Sequence, residues 1–179
     1  MTKINITAIL LLVTCSLMQA QVAIGKQETT NTSVSLEFTD TENKGLILPY
    51  VETKTGITEE GTLIYDVTDH KVKYKNGAST WANLSEDDGT TATIGVVDIS
   101  IQTTKDEKAS AKTVIGADGA TNSTPGILVL SDTNKAMILP KVASPHLNIY
   151  NPAPGMMVYD TTAKQLAVYN GKVWSFWKP

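Results

Sequence analysis

Two stretches decide the fold: GTLIYDVTDHKVKYKNGASTW at residues 61–81 and GMMVYDTTAKQLAVYNGKVW at residues 155–174. Each begins with Gly, runs through an apolar segment to Tyr-Asp, and ends on Asn-Gly followed by Trp. In the first stretch, Lys alternates with Val72 and Tyr74, which is the period-two pattern of a half-buried strand. Asn-Gly between two such segments is a strong hairpin signal. Each stretch therefore predicts a small antiparallel β-meander.

The similarity extends upstream of the meanders and indicates an internal duplication. Residues 22–51 align without a gap with residues 113–142, at an offset of 91 (113 − 22 = 91). The meanders align at an offset of 94 (155 − 61 = 94), with one residue deleted before the final Trp. Ordered agreement of this kind predicts two copies of one structural unit. The repeated positions are Pro49, Tyr65, Asn76, Gly77 and Trp81 in the first copy, and Pro140, Tyr159, Asn170, Gly171 and Trp174 in the second.

These patterns predict an all-β mature chain made of two duplicated antiparallel meander units. Residues 85–93 are acidic and small, as in a linker, whereas residues 94–101 are rich in β-branched residues and favour a strand. The predicted organisation is a signal peptide with its signal helix at residues 1–20, a first β unit at 21–84, a linker with a central strand at 85–111, and a second β unit at 112–179.

The N-terminal residues predict export. Lys3 is followed by a mostly apolar stretch and then by Ala20, which is the layout of a secretory signal. Cleavage after Ala20 would leave 179 − 20 = 159 residues with no membrane span, located in the periplasm, on the outer surface or outside the cell. Two alternatives stay open: an uncleaved anchor helix, and a lipoprotein modified at Cys15. Cys15 is the only cysteine, so a chain cleaved at Ala20 has no disulfide and no thiolate site.

Composition and motifs argue against nucleic-acid binding and against catalysis. All 15 basic residues are Lys, set against 18 acidic ones, so the Arg residues that usually recognise phosphate are missing. His70 and His146 lie in separate repeats without metal-binding companions. The sequence contains neither a G-x-S-x-G nucleophile motif nor a Walker-type phosphate loop, and these motifs mark two common catalytic folds. We therefore predict a protein that is not an enzyme and has no metal and no cofactor.

The two meanders, together with KGLILP and KAMILP upstream of them and QVAIG after the signal, resemble a repeat module of secreted Bacteroidota surface proteins. They also resemble segments of phage fibre-like proteins. The module often has a basic residue after the Pro. At that position this chain has Tyr50 in the first copy and Lys141 in the second. The resemblance implies an exported surface or structural protein, and it carries no known catalytic residues.

Two functions remain open from the sequence. The first is a structural or adhesive surface protein that self-associates in a fibre-like manner, with a homotrimer as the first expectation. The second is a secreted or periplasmic carbohydrate-binding module. Apolar residues outside the meander alternation are candidate ligand or oligomer contacts: Met156, Met157, Phe176 and Trp177. Trp81 and Trp174 are expected to close the core of each meander, which leaves Trp177 as the candidate platform for a glycan.

Overall fold

The computed structural model describes residues 21–106, 108 and 110–178. The predicted signal peptide, its cleavage position and Cys15 lie outside the described residues. Within them the chain is all-β, as predicted, and none of its helices is long and apolar enough to span a membrane. The first half contains β1 (Val22–Ile24), β2 (Val34–Phe38), β3 (Leu46–Ile47), β4 (Tyr50–Val51), β5 (Leu63–Asp66), β6 (Lys71–Lys75) and β7 (Trp81–Asn83), followed by the short helix α1 (Ser100–Thr103). The second half contains β8 (Thr113–Ile115), β9 (Leu128–Leu130), β10 (Ala136–Ile138), β11 (Lys141–Val142), helix α2 (Pro145–Asn148), β12 (Met156–Asp160), β13 (Gln165–Tyr169) and β14 (Trp174–Trp177).

The two meanders form sheets with the same strand order. One sheet runs β4-β5-β6-β7, and the other runs β11-β12-β13-β14. The last three strands of each sheet are antiparallel, as the alternation and the Asn-Gly signals predict. Each sheet also contains a strand that the sequence pattern does not predict, because the short strand after each Pro pairs in parallel, with Tyr50 opposite Tyr65 and Lys141 opposite Tyr159. Two-residue strands are too short to leave a periodic signal in the sequence.

Side chains of Asp and Asn form the turns of both meanders. Asp66 accepts hydrogen bonds from the backbone and side chain of Thr68, and Asp160 accepts them from the backbone of Thr162 and Ala163. Such local bonds favour turns over continued strand. The hairpin at Asn76–Gly77 is longer than the two-residue turn that the dipeptide alone suggests, because the Asn76 amide donates to the Thr80 carbonyl at 3.1 Å.

The two halves of the chain exchange strands. β3 of the first half pairs with β12 of the second, and β10 of the second half completes a parallel sheet with β1 and β2 of the first. β8 and β9 form a separate parallel pair. Each half therefore completes a sheet that belongs to the other.

The main core joins residues from both units. Leu48, Tyr65 and Val72 of the first unit pack with Met157 and Val168 of the second. A smaller cluster lies on the other face of the second meander and consists of Val142, Met156, Val158 and Ala167. The sheets alone are small, and the shared core supplies the second layer that sheets of this size need.

The predicted central strand at residues 94–101 is wrong. Within the described part of this segment, α1 is the one regular element. The backbone instead packs against the hairpin of the second meander, where the Asn170 side chain donates to the Thr93 carbonyl at 2.9 Å. A Cβ added at Gly95 would lie 1.9 Å from the Asn170 carbonyl oxygen. Ile94, Val97 and Ile99 are half-buried, whereas Val96 and Ile101 are 65% and 81% exposed, so the β-branched composition of this segment does not indicate strand pairing.

Candidate functional site: the contact between the two units

Tyr65 is the centre of the contact between the units. Its side chain is fully buried, and its hydroxyl donates to the Asn170 carbonyl at 2.7 Å. The ring lies over Gly155, where an added Cβ would be 3.1 Å from the Tyr65 Cβ. Tyr50 packs edge-on against Tyr65 and donates to the Pro154 carbonyl at 3.0 Å. Burial, followed by the nearby Tyr50 and carboxylate charges, raises the pKa of Tyr65, so the hydroxyl stays a hydrogen-bond donor.

A strand addition lies next to this tyrosine. β3 pairs antiparallel with the start of β12, with Ile47 opposite Met156 and Leu46 opposite Met157. The Leu48 amide extends the pairing by donating to the Gly155 carbonyl at 3.1 Å. Backbone pairing of this kind is a general way for one β surface to recognise another. At this site the first unit thus binds the second through Tyr65, Tyr50 and one added strand.

The contact is not reciprocal. Tyr159, the counterpart of Tyr65 (159 − 65 = 94), is 36% exposed, and Asn76, the counterpart of Asn170, is exposed. A Cβ added at Gly61, the counterpart of Gly155, would have no described atom within 4 Å. One surface of the first unit therefore binds a different surface of the second, which is a heterologous contact.

The predicted contact residues lie in two different environments. Met156 and Met157 are buried at 7% and 3% exposure, where they pair with β3, so their apolar character is used inside the chain. Phe176 and Trp177 are 39% and 43% exposed at the end of β14. The indole N–H of Trp177 donates to the Leu84 carbonyl. As contacts with a ligand or with another chain, these four residues stay a prediction.

The two repeated tryptophans are half-buried. Trp174 packs against Tyr169, with ring centroids 5.2 Å apart, beside the smaller core cluster. Trp81 lies 5.5 Å from the Lys75 ammonium and lines an open cleft of about 530 Å³ with Lys54 and Ile57. The Lys75 ammonium also donates to the carbonyls of the following loop, at 2.9 Å and 2.6 Å. The Lys75 ammonium is therefore already bound by backbone carbonyls of its own chain.

The buried carboxylates are occupied by structural partners. Burial alone would raise the pKa of Asp66, but hydrogen bonds from Lys54 and Thr68 outweigh it and hold the pKa at about 2. In the same way, Lys26 and Thr30 overcome the burial of Glu37 and hold its pKa at about 2. Among the described residues, no group of three or more His, Cys, Asp or Glu side chains is arranged to hold a metal ion. These acids stabilise ion pairs and turns.

Residues 100–178 match a family model described as "Phage tail like trimerisation region". The matched range starts at α1 and contains all strands from β8 to β14. The match supports the predicted resemblance to phage fibre-like proteins, whereas the resemblance to the Bacteroidota module stays a prediction. Searches of curated proteins and of solved structures returned no match.

Proposed function

We propose that this chain is a non-catalytic, fibre-like structural protein that assembles as a trimer of identical chains. The match of residues 100–178 to a phage tail like trimerisation region carries this proposal. The heterologous contact between the two units supports it, because contacts of this type form rings when their rotation closes. The buried carboxylates of Glu37 and Asp66 support a structural role, because both are bound by lysine and threonine side chains of the same chain.

The mass of the assembly in solution tests the proposal. Light scattering of the purified native protein should give three times the mass of the single chain, measured by mass spectrometry on the same sample. A single-chain mass at high protein concentration would contradict the trimer. A dimer would contradict the stoichiometry but not self-association.

We also propose that the protein is exported and acts in the cell envelope or at the cell surface, in an adhesive or scaffolding role. The basic, apolar and small-residue pattern of residues 1–20 supports this location. The intact mass of the protein recovered after export should correspond to a chain that begins at Gln21. A lipid-modified Cys15 would instead make it a membrane-anchored lipoprotein.

Carbohydrate binding is the second candidate function, and the exposure of Phe176 and Trp177 at the end of one strand supports it. Exposed aromatic rings can stack on the apolar faces of sugars. A glycan screen should then give saturable binding that Trp177→Ala abolishes. The matched control is Tyr150→Ala, because Tyr150 is 90% exposed and lies outside β14. Equal binding by both variants would contradict a Trp177 platform.

A further inference from the structure

We infer that each chain binds the next through a second copy of its own internal contact, with Tyr159 of one chain covering Gly61 and Asn76 of its neighbour. This inference rests on the proposed self-association and specifies the surfaces that carry it. The second unit of one chain would bind the first unit of the next, as the first unit binds the second within each chain.

The Tyr65 part of the contact is present twice, and one copy is unoccupied, whereas Tyr50 is replaced by Lys141 in the second copy. Gly155 and Gly61 both have a left-handed backbone, with φ of 73° and 80°. Tyr65 fills the space over Gly155, whereas the space over Gly61 is open. Tyr159 is the equivalent ring, and it is exposed on the strand equivalent to β5. By equivalence with Tyr65 and Asn170, its hydroxyl would donate to the Asn76 carbonyl of the neighbour.

The strand-addition half of the contact is also present twice. On β12, one edge is covered by β11 at Tyr159 and Asp160 and by β3 at Met156 and Met157. On β5, the corresponding edge is covered by β4 at Tyr65 and Asp66. Within residues 21–106, 108 and 110–178, no strand pairs with the remaining positions of that edge, Thr62 and Leu63. This open edge has the position that β3 occupies on β12.

β10 is the equivalent of β3 and has the matching edge free. The Ala136 amide donates to the Ser33 carbonyl, so that side of β10 faces β2. Amide directions alternate along an extended strand, and the amides of Met137 and Leu139 therefore point away from β2. Their counterparts in β3 are Leu46 and Leu48, which face β12. β10 can thus hold β2 of its own chain on one edge and β5 of a neighbour on the other.

Binding of a neighbouring chain in this way would also cover further apolar side chains that are exposed in the single chain. Within the chain, Met137 lies opposite Leu36 and Ile138 opposite Glu37. By the 91-residue offset of the repeat, the equivalent pairs between two chains are Leu46 opposite Ile127 and Ile47 opposite Leu128. In these pairs β3 belongs to one chain and β9 to its neighbour. Leu36 is 1% exposed, but its counterpart Ile127 is 65% exposed, and Ile47 and Leu128 are 49% and 41% exposed. A second copy of the chain accounts for all three exposures at once.

The occupant is therefore another copy of this chain, because the complementary surfaces already bind each other inside it. Each chain presents an unused Tyr159 with β10 on its second unit and an unused Gly61 with the β5 edge on its first unit. Three chains joined in this way contain six equivalent units. A heterologous contact needs no other partner to close such a ring.

A cysteine pair tests the strand addition. Thr62 and Ile138 are the counterparts of Met156 and Ile47, which lie directly opposite each other in an antiparallel pair. The Cβ atoms at such positions lie about 4.5–5.5 Å apart, close to the distance a disulfide bridges. Full-length Cys15→Ser protein with Thr62→Cys and Ile138→Cys should, after oxidation, run as covalent trimers on a non-reducing denaturing gel. Each single-cysteine protein should run as a monomer, and an uncrosslinked double variant in an assembled sample would overturn the inference.

A matched tyrosine pair tests the ring contact. Tyr159→Ser should lower the solution mass threefold, whereas Tyr150→Ser, at a residue that is 90% exposed, should leave the assembly intact. Retention of the circular dichroism spectrum by both variants separates loss of assembly from loss of folding. If the parent protein is trimeric but Tyr159→Ser remains trimeric, another surface carries the trimer and this inference fails alone. If the parent protein is monomeric, the proposed function fails with it.

Discussion

At the scale of single residues, one repeated aspartate is stabilised in two different ways. Asp66 lies among cations, with Lys54 as its hydrogen-bonded partner and Lys73 at 3.4 Å. Asp160, at the same position in the second copy, accepts backbone amides from Ser144, Thr162 and Ala163. Burial would raise the pKa of Asp160, but these amide bonds lower it. The first copy depends on charge and the second on backbone geometry.

Substitution by asparagine should separate the two arrangements. Asp66→Asn leaves Lys54 without its anion and removes one of the two carboxylates that contact Lys73, so it should lower the free energy of unfolding by about 3 kcal/mol. Asp160→Asn keeps an oxygen that accepts the same amides, so we expect a loss of about 1 kcal/mol. Urea unfolding of both variants measures the difference. Equal losses would mean that the lysine charges contribute little to the first copy.

The same carboxylates predict a pH dependence of stability. The pKa values of Glu37 and Asp66 are lowered to about 2 in the folded chain from 4.5 and 3.8. The stabilisation is therefore present above pH 4.5 and is lost as the pH falls toward 2. The urea midpoint should decrease across this window, and Glu37→Gln should flatten the decrease. A midpoint that stays constant from pH 5 to pH 2 would contradict the lowered pKa values.

At the scale of elements, the tight turn between the first two strands of each meander uses a residue in the left-handed region. His70 and Lys164 have φ of 61° and 56°. A non-glycine residue in this conformation is strained by about 1 kcal/mol. The turn keeps this conformation because Asp66 in the first copy and Asp160 in the second accept hydrogen bonds from its backbone amides.

Two exposed turn lysines of the second meander provide a matched test. Lys164→Gly should raise the free energy of unfolding by about 0.5 kcal/mol, because glycine removes the strain at a cost in chain entropy. Lys172 lies outside the left-handed region, so Lys172→Gly should lower the free energy of unfolding by about 0.5 kcal/mol. Thermal unfolding of the two variants should shift in opposite directions. Shifts of the same sign would contradict strain at residue 164.

Sequence pattern predicts the meanders because their information is local. The alternation in residues 71–75 and the Asn-Gly pairs each lie within one or two strands, where period and turn chemistry apply. The parallel lead-in strands and the exchange of β3 and β10 depend on partners far along the chain. Residues 94–101 show the same limit, since their composition favours a strand, whereas the backbone at Gly95 packs against the distant Asn170 without pairing. Of the candidate site, the sequence marks Tyr65 and Asn170 as repeated, but it does not show that they touch.

At the scale of the whole molecule, equivalent residues have different environments because the contact between the two units forms in one direction only, from Tyr65 of the first unit to the second unit. Tyr65 is buried and Tyr159 is exposed although both follow the same pattern. The sequence carries one signal for this contact, which is that Tyr, Gly and Asn recur together in both copies. That signal shows which residues are equivalent, but which copy forms the contact depends on the folded arrangement of the two units.

The two equivalent glycines should therefore respond differently to the same substitution. Gly155→Ala should cost about 2–3 kcal/mol in a Tyr159→Ser background, since it adds a clash with Tyr65 to the strain of a positive φ. Gly61→Ala should cost about 1 kcal/mol in that background, from strain alone. In the parent protein, Gly61→Ala should also weaken assembly. Equal costs for the folding of both variants would contradict the asymmetry of the contact.

The covalent connection through residues 85–111 gives these two contacts very different effective concentrations. The Tyr65 contact forms within one chain, where a short tether holds the partner surface at a local concentration of order millimolar whatever the sample contains. The equivalent contact at Tyr159 depends on the bulk concentration of chains. Dilution should therefore release chains from one another while Tyr65 stays covered, so chain concentration would govern assembly without unfolding either unit.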